Sequence, residues 1–275
     1  MAYVVGCGRS GTTILGKMLS AHPRIEYFFE PWHLWRVVDN RTDTAHLFGP
    51  TDAQILMRPD MWTANAHRRF RRLFLESVPP RKKLSLEKTP HNAMRIGYLE
   101  VLSPRAKYIH IVRDGVEVVS SIAWLAETNF YKLGFRKTFN QWWGDDDSKW
   151  NALERNGMAA GYFPDEVPLL DGQAGRAAYE WVVSLGEVDR QRDALGDRLH
   201  ELRFPDLVES PPKAPSRVCD FLGLEAPGTW LNKAVGMINT GRTRAREELV
   251  LPSAICAAFN AYQCRFGFTG RAIAR

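Results

Sequence analysis

Residues 3–15 read Tyr-Val-Val-Gly-Cys-Gly-Arg-Ser-Gly-Thr-Thr-Ile-Leu, and this stretch decides the fold. A short run of β-forming residues ends at Gly6, and a loop rich in glycine and serine follows it. Apolar residues then recur at helical spacing from Ile14 to Leu19. Strand, glycine loop and helix in this order predict the opening of an α/β unit.

Further along the chain the same alternation of strands and helices returns. A mostly apolar strand at Tyr108–Val112 is typical of a parallel sheet covered on both faces. The later segments are a helix after Arg113-Asp-Gly115, a helix over Gln173–Arg198, a strand over Leu199–Phe204 and a helix over Arg217–Leu222. The pattern predicts a single α/β domain over residues 1–275, with a central parallel sheet flanked by helices.

The glycine loop Gly6–Thr13 fits the frame GxxxxGK[ST] of a phosphate-binding loop. Backbone N–H groups in such a loop curl around an anion at the positive end of the next helix. Thr12 stands where a nucleoside triphosphatase has its lysine, and a cation is instead present at Arg9. The loop therefore suits a phosphate better than a magnesium-bound triphosphate, although three glycines also suit a plain tight turn.

A second candidate anion site follows the strand that ends at Val112. Arg113 stands at the strand's carboxyl end, where ligands bind in open parallel sheets, and Ser121 is eight residues further on. The side chains of Arg113 and Ser121 can bind a terminal phosphate by donating hydrogen bonds to it. The alternative is that Arg113 pairs with a surface carboxylate such as Asp114 and that Ser121 is an ordinary helix residue.

These segments resemble a known family. Gly8–Leu15 with Ala21-His-Pro23 resembles the 5′-phosphosulfate motif of sulfotransferases that use 3′-phosphoadenylyl sulfate (PAPS), and Val112–Gly115 with Ser121 resembles their 3′-phosphate motif. Weaker likenesses follow at Glu87-Lys-Thr-Pro90, Leu202–Val208, Arg217–Gly223 and Thr240-Gly-Arg242. The ordered match runs from residue 4 to about residue 245.

The resemblance implies a P-loop-like sulfotransferase fold, PAPS as co-substrate and PAP as product, with no metal. It implies a 5′-phosphosulfate site at Gly8, Arg9, Ser10, Gly11, Thr12 and Thr13, and a 3′-phosphate site at Arg113, Ser121, Gly241 and Arg242. Phe204 departs from the tyrosine that is commoner in the family, which removes a hydroxyl contact. Trp181 either stacks on the adenine or belongs to a helix core.

Sulfuryl transfer to a hydroxyl needs a group that takes the acceptor's proton and a group that stabilises the leaving charge. Glu30 is the first choice of base, because neighbouring aromatic residues would raise its pKa by desolvation. His33 is the second choice. Arg9 and Lys88 are the candidates for contact with the sulfuryl oxygens, with the alternative that Lys88 is a solvated lysine like Lys82 and Lys83.

The composition of the chain restricts which ligands, structural scaffolds and cellular compartments are expected. The chain has 275 residues and a net charge of +6, which suits an anionic ligand but is too mild and scattered to indicate nucleic acid. Four cysteines without a CxxC pair indicate neither a disulfide scaffold nor a zinc ribbon. No stretch has the ~20 apolar residues that span a bilayer, and no signal peptide precedes the first strand, so a cytoplasmic protein is expected.

The leading hypothesis is a PAPS-dependent sulfotransferase that acts on a hydroxyl of a small-molecule, carbohydrate or lipid acceptor. A nucleotide-dependent small-molecule kinase on the same fold is one alternative, and a PAP-binding module without turnover is the other. The aromatic stretch 124–150, together with Trp32, Trp35 and Trp62, either lines an acceptor cleft or packs in the core. The acceptor and the oligomeric state are left open.

Overall fold

The computed structural model describes residues 1–129, 138–238 and 248–275. These residues form two compact units, each built from three segments of the chain. The first unit comprises the described residues of Met1–Pro31, Arg58–Arg113 and Glu187–Arg242, and the second those of Trp32–Met57, Asp114–Gly186 and Thr243–Arg275. One domain over residues 1–275 stays a prediction.

Regular elements account for most of the described chain. The strands are β1 (Ala2–Val5), β2 (Ile25–Phe29), β3 (Leu84–Lys88), β4 (Lys107–Val112), β5 (Phe139–Asn140), β6 (Gly144–Asp145), β7 (Leu199–Arg203), β8 (Leu249–Leu251) and β9 (Ala272–Ala274). The helices are α1 (Thr12–Ser20), α2 (Trp32–Val38), α3 (Ala64–Phe70), α4 (Ile96–Leu102), α5 (Gly115–Thr128), α6 (Ser148–Ala159), α7 (Gly172–Leu195), α8 (Phe204–Glu209), α9 (Lys213–Leu222), α10 (Gly228–Val235) and α11 (Ser253–Arg265). Short 3₁₀ helices lie at Asn40–Thr42, Pro59–Met61, Pro90–Met94, Val167–Leu169 and Gly196–Arg198, and a π-helix at Arg71–Leu75 continues α3.

A five-stranded sheet in the order β2-β3-β1-β4-β7 forms the centre of the first unit. Every neighbouring pair in it is parallel. The prediction of an α/β fold with a central parallel sheet flanked by helices is therefore confirmed. Because all five strands run the same way, their carboxyl ends lie along one edge of the sheet.

Strand β1, from the opening segment of the chain, lies in the middle of the five-stranded sheet. All four of its residues, Ala2–Val5, are fully buried, as expected of a parallel strand covered on both faces. An apolar core that includes Leu15 and Met18 of α1, Ile109 and Ile111 of β4 and Val218 of α9 surrounds it. This packing fixes where β1 ends and where the glycine loop begins.

The second unit is held together by aromatic packing and by a buried cap on α5. Asp114 accepts hydrogen bonds from the backbone of Val116 (2.9 Å) and Gly270 (3.2 Å) and from the side chain of Gln263 (2.9 Å). Trp181 is fully buried against Phe259 of α11, with ring centroids 4.7 Å apart. Of the two roles considered for Trp181, the structure shows the core role.

The second unit also contains two small sheets, an antiparallel pair β5–β6 and a parallel pair β8–β9. Strands β8 and β9 lie in the carboxyl-terminal segment 241–275, whose sequence is basic and predicts mostly helical or irregular structure, so for these two strands that prediction is wrong. All four cysteines are described and all are free thiols. Within residues 1–129, 138–238 and 248–275, no helix has the length and apolar character needed to cross a membrane.

Candidate functional site

Polar and aromatic groups gather at the carboxyl edge of the five-stranded sheet. Glu30 follows β2, Lys88 ends β3, the glycine loop follows β1, Arg113 follows β4 and Phe204 follows β7. Their order along the edge is that of the strands, β2-β3-β1-β4-β7. Residues that lie between Gly6 and Phe204 in the sequence therefore meet where ligands bind in open parallel sheets.

The glycine loop has a backbone that most residues adopt only at a cost. Gly6 has φ 145° and Gly11 has φ 100°, and Arg9 also lies in the left-handed region at φ 71°. A Cβ atom on Gly6 would lie 2.4 Å from the carbonyl oxygen of Ile111, so only glycine fits there. Strain of this kind is typical of sites where backbone geometry serves binding.

Helix α1 starts directly after this loop with an open amino end. Gly11 provides the cap position without a capping side chain, and the first turn contains no acidic residue. The first N–H groups of a helix have no partner within the helix, and the helix dipole adds positive potential there. The loop and the start of α1 therefore form a cradle for an anion.

Lys88 brings an ammonium group to the same cradle from the neighbouring strand. Its side chain is 0% exposed, and its Nζ donates to Thr13 Oγ1 (2.8 Å) and to Glu30 Oε1. Burial lowers the pKa of Lys88, and the charge and hydrogen bond of Glu30 act against that effect. The reading of Lys88 as a solvated lysine is therefore wrong.

The position of Lys88 also bears on Thr12, which replaces the usual loop lysine. Thr12 is buried and begins α1, whereas the hydroxyl of the next residue, Thr13, receives the ammonium of Lys88. The loop thus gains from β3 the ammonium group that its own sequence, with Thr12 and Arg9, lacks.

Glu30 lies at the end of β2 in a strained turn. Its φ is 40°, and its backbone N–H donates to the carbonyl oxygen of Lys88 at 2.9 Å. The carboxylate is 27% exposed while its partner ammonium is sealed. The sequence suggests apolar surroundings for Glu30, but the structure places a cation directly on its carboxylate. One oxygen is held by Lys88 and water has access to the group.

A second buried carboxylate, Glu87, organises the chain that follows β3. Glu87 is fully buried and accepts hydrogen bonds from Thr89 Oγ1 and from Asn92 Nδ2 (2.7 Å). These bonds fix the turn into the 3₁₀ helix Pro90–Met94 immediately after Lys88. Sequence analysis does not assign Glu87 a role. The one sequence signal for it is its position beside Lys88, in a short strand that Thr89 and Pro90 follow directly.

Arg113 and Phe204 complete the edge on the other side of the loop. The guanidinium of Arg113 lies 4.7 Å from the ring centroid of Phe204, a cation–π distance. Its Nη1 also donates to the carbonyl oxygen of Arg9 at 3.4 Å. A Cβ atom on Gly11 would lie 2.4 Å from Phe204 Cδ2. The phenyl ring thus packs against both the loop and the arginine.

The remaining predicted residues are distributed as follows. Gly8 and Ser10 are buried in the loop, and the side chain of Arg9 is exposed. His33 is exposed on α2 and Ser121 is half-buried in α5, and both belong to the second unit. Gly241 and Arg242 lie outside the described residues. The structure therefore brings together the loop, Glu30, Lys88 and Arg113, and the roles of His33, Ser121, Gly241 and Arg242 stay predictions.

Among the comparisons with known proteins, a family model matches more than half of this chain. A family model described as "Sulfotransferase family" matches residues 2–167. The nodulation protein NoeE of Sinorhizobium fredii is 28% identical over 134 residues, which cover 44% of this chain and 30% of that protein. The chain thus matches less than a third of that relative's length.

Solved structures show the same fold. A sulfotransferase domain from the curacin biosynthetic pathway superposes with a TM-score of 0.59 at 17% identity, covering 98% of each chain. The sulfotransferase domain of the Synechococcus PCC 7002 olefin synthase gives 0.55 at 19% identity, covering 98% of this chain and 95% of that one. At these identities the likeness concerns the fold alone.

Proposed function

Because the chain belongs to the sulfotransferase family, we propose that it transfers the sulfuryl group of PAPS to a hydroxyl of a small-molecule, carbohydrate or lipid acceptor and releases PAP. One observation supports this most strongly: the buried ammonium of Lys88 contacts the glycine loop through Thr13 and a carboxylate through Glu30. A charge-stabilising cation and a proton acceptor are thereby adjacent at the mouth of an anion cradle.

The donor side of the proposal rests on the cradle. The open N–H groups at the start of α1, the guanidinium of Arg9 and the ammonium of Lys88 supply positive potential for the 5′-phosphosulfate. Such preorganised donors stabilise the charge that grows on the departing PAP. Arg113, backed by Phe204, is the proposed contact for the 3′-phosphate, together with Ser121, Gly241 and Arg242.

The acceptor side rests on Glu30. In the proposed reaction the acceptor oxygen forms a bond to sulfur, the bond from sulfur to the bridging oxygen breaks, and PAP leaves with that electron pair. The acceptor's proton passes to the carboxylate of Glu30, whose side chain is 27% exposed. Lys88 holds one of its two oxygens. His33 is the second candidate for the base.

We also propose that the protein works in the cytoplasm, a reducing compartment in which its four cysteines stay free thiols.

Ligand-induced thermal stabilisation tests the donor. We expect PAP and PAPS to raise the melting temperature at micromolar concentrations and Mg-ATP to give no specific rise, because Thr12 replaces the loop lysine. A rise with Mg-ATP alone would favour the kinase. Stabilisation by PAP without transfer of ³⁵S from labelled PAPS to any acceptor in a hydroxyl-compound screen would favour a binding module.

An arginine pair provides the matched control for the 3′-phosphate contact. Arg113→Ala is expected to weaken PAP binding by about 1.5–3 kcal/mol, the usual size of a hydrogen bond to a charged group. Arg81→Ala removes the same charge from an exposed position and is expected to leave PAP binding unchanged. Equal affinities for the wild type and Arg113→Ala in calorimetry would remove Arg113 from the site.

A further inference from the structure

The positive charge of this chain is concentrated in one segment. Residues 58–83 contain eight Lys or Arg and two Asp or Glu, an excess of +6 that equals the net charge of all 275 residues. The rest of the chain is therefore neutral on balance. Such a local excess indicates that this segment attracts anions.

Part of this segment lines a cleft in the first unit. The cleft has a volume of about 360 Å³ and is lined by Trp62, His67, Arg68, Arg71, Arg72 and Glu76, with Ala64 at its side. It lies on α3 and on the π-helix that continues it. Its lining shares no residue with the carboxyl edge of the sheet, so it is a second place where an anion can bind.

The helix that carries the cleft is anchored from its inner side. Phe74 packs against Phe28 of β2 at 5.1 Å between ring centroids, and its carbonyl oxygen accepts a hydrogen bond from Ser85 Oγ at 2.8 Å. Arg71 and Arg72 follow Arg68 by three and four residues, which places each of them next to Arg68 on the helix surface. All three are exposed.

The three guanidinium groups differ in how far their charge is neutralised. Arg71 forms an ion pair with Glu76 at 2.9 Å, across the five-residue step of the π-helix. Arg68 donates to the neutral amide oxygen of Asn65 at 2.8 Å. Arg72 has no hydrogen-bond or ion-pair partner among the described residues. The cleft thus keeps two uncompensated guanidinium groups in a partly fixed arrangement.

An aromatic surface stands beside these cations. The indole of Trp62 is 38% exposed. Its Nε1 donates to Nδ1 of His67 at 3.4 Å, with the two rings edge-on at 85°. The contact steadies the indole while leaving part of its surface accessible.

We propose that this cleft binds an anionic sugar, a pyranose unit that bears a sulfate, phosphate or carboxylate group. Arg68 and Arg72 bind the anionic group, since guanidinium matches the planar geometry of oxyanions. The apolar C–H face of the sugar ring packs against the indole of Trp62. A saccharide is favoured over a bare anion because the cleft exceeds the size of one oxyanion and places an aromatic surface next to the cations.

Calorimetry and ligand-observed NMR with glucose 6-sulfate test this site in the presence of saturating PAP. We expect the wild type to bind glucose 6-sulfate and not to bind glucose. The affinity for glucose 6-sulfate is expected to fall as salt is added. The variant R68Q/R72Q is expected to bind about tenfold more weakly or worse, from the loss of two charged hydrogen-bonding groups. Trp62→Leu is expected to weaken binding about fivefold.

The matched control is R81Q/K83Q, which removes two exposed cations from the same segment outside the cleft. It is expected to bind glucose 6-sulfate as the wild type does. No binding by the wild type, or an equal loss in both double variants, would overturn the site. If inorganic sulfate binds as tightly as glucose 6-sulfate and its affinity is the same for the wild type and for Trp62→Leu, the assignment of a saccharide ligand is wrong. Tighter binding of adenosine 5′-phosphate or of vesicles of anionic phospholipid would also contradict that assignment. None of these readouts requires the proposed transferase activity.

Discussion

Two buried lysine–glutamate pairs occupy different surroundings in this protein. In the first unit Lys88 meets Glu30 at the edge of the sheet, and in the second unit Lys149 meets Glu180. Both ammonium groups are buried, at 0% and 4% exposure of the side chain. The glutamates differ, because Glu30 is 27% exposed and Glu180 is 1% exposed.

The neighbours of each pair explain the difference. Lys149 lies 4.1 Å from the ring centroid of Trp142 and 5.1 Å from that of Trp143, and Trp142 Nε1 donates to Glu180 at 2.9 Å. Lys149 reaches both oxygens of that carboxylate, at 2.8 and 2.9 Å. This pair is sealed and satisfied within the fold. In the Lys88 pair the Glu30 side chain is partly exposed and the ammonium contacts Thr13 of the glycine loop, so a reactant can reach this pair.

The largest expected effect concerns the sealed pair. Lys149→Met is expected to lower the free energy of unfolding by about 3–5 kcal/mol, because it leaves the Glu180 carboxylate buried without its counter-ion. Urea denaturation followed by tryptophan fluorescence measures this value. Transfer per folded molecule is expected to stay unchanged.

The double variant K149M/E180Q is the control for this prediction. A neutral amide still accepts the hydrogen bond of Trp142 and carries no buried charge, so most of the lost stability is expected to return. If Lys149→Met alone unfolds as the wild type does, the sealed pair does not stabilise the second unit.

The next effect concerns the pair at the sheet edge and is a loss of rate. Lys88→Met is expected to lower kcat/KM about 100-fold or more, the usual size for one lost charge-stabilising donor. Its cost in unfolding free energy is expected to stay below about 1.5 kcal/mol, because water reaches the Glu30 that remains and methionine fills the space of the lysine stem. The assay is transfer of ³⁵S to the best acceptor from the screen.

Lys83→Met serves as the comparison for this variant, since it removes an exposed lysine five residues earlier. It is expected to keep both rate and stability. A Lys88→Met protein that loses several kcal/mol of stability yet transfers at the normal rate would make the two pairs alike and would remove Lys88 from the reaction.

The two pairs also show which parts of the molecule are predictable from the sequence. The glycine loop and the strand before Arg113 are local patterns, and the structure has β1, α1, β4 and α5 where those patterns predict them. Strands β2 and β3 lack such a pattern, because Ile-Glu-Tyr-Phe-Phe and Leu-Ser-Leu-Glu-Lys are short and carry charges. Pairing with neighbours, not local preference, makes them strands.

The contact between Glu30 and Lys88 is likewise a feature that no local sequence pattern predicts. The two residues are 58 positions apart and meet because the register of the parallel strands places Phe29 opposite Lys88. Nothing in the spacing of the chain specifies that register. The sequence singles out each residue as a candidate, whereas their ion pair and the burial of Lys88 appear only in the fold.

The smallest expected effect is a change in the pH dependence of kcat. Because burial lowers the pKa of Lys88 below that of an ordinary lysine, its ammonium loses the proton at a lower pH than an exposed lysine would. The charge is present below that pKa and absent above it, so kcat is expected to fall on the alkaline side with an apparent pKa below 10.5. Lys88→Arg keeps a charge through this range and is expected to lack the alkaline limb, although its different shape lowers the neutral rate. A limb that persists in Lys88→Arg would belong to another group, and the lowered pKa of Lys88 would then have no part in turnover.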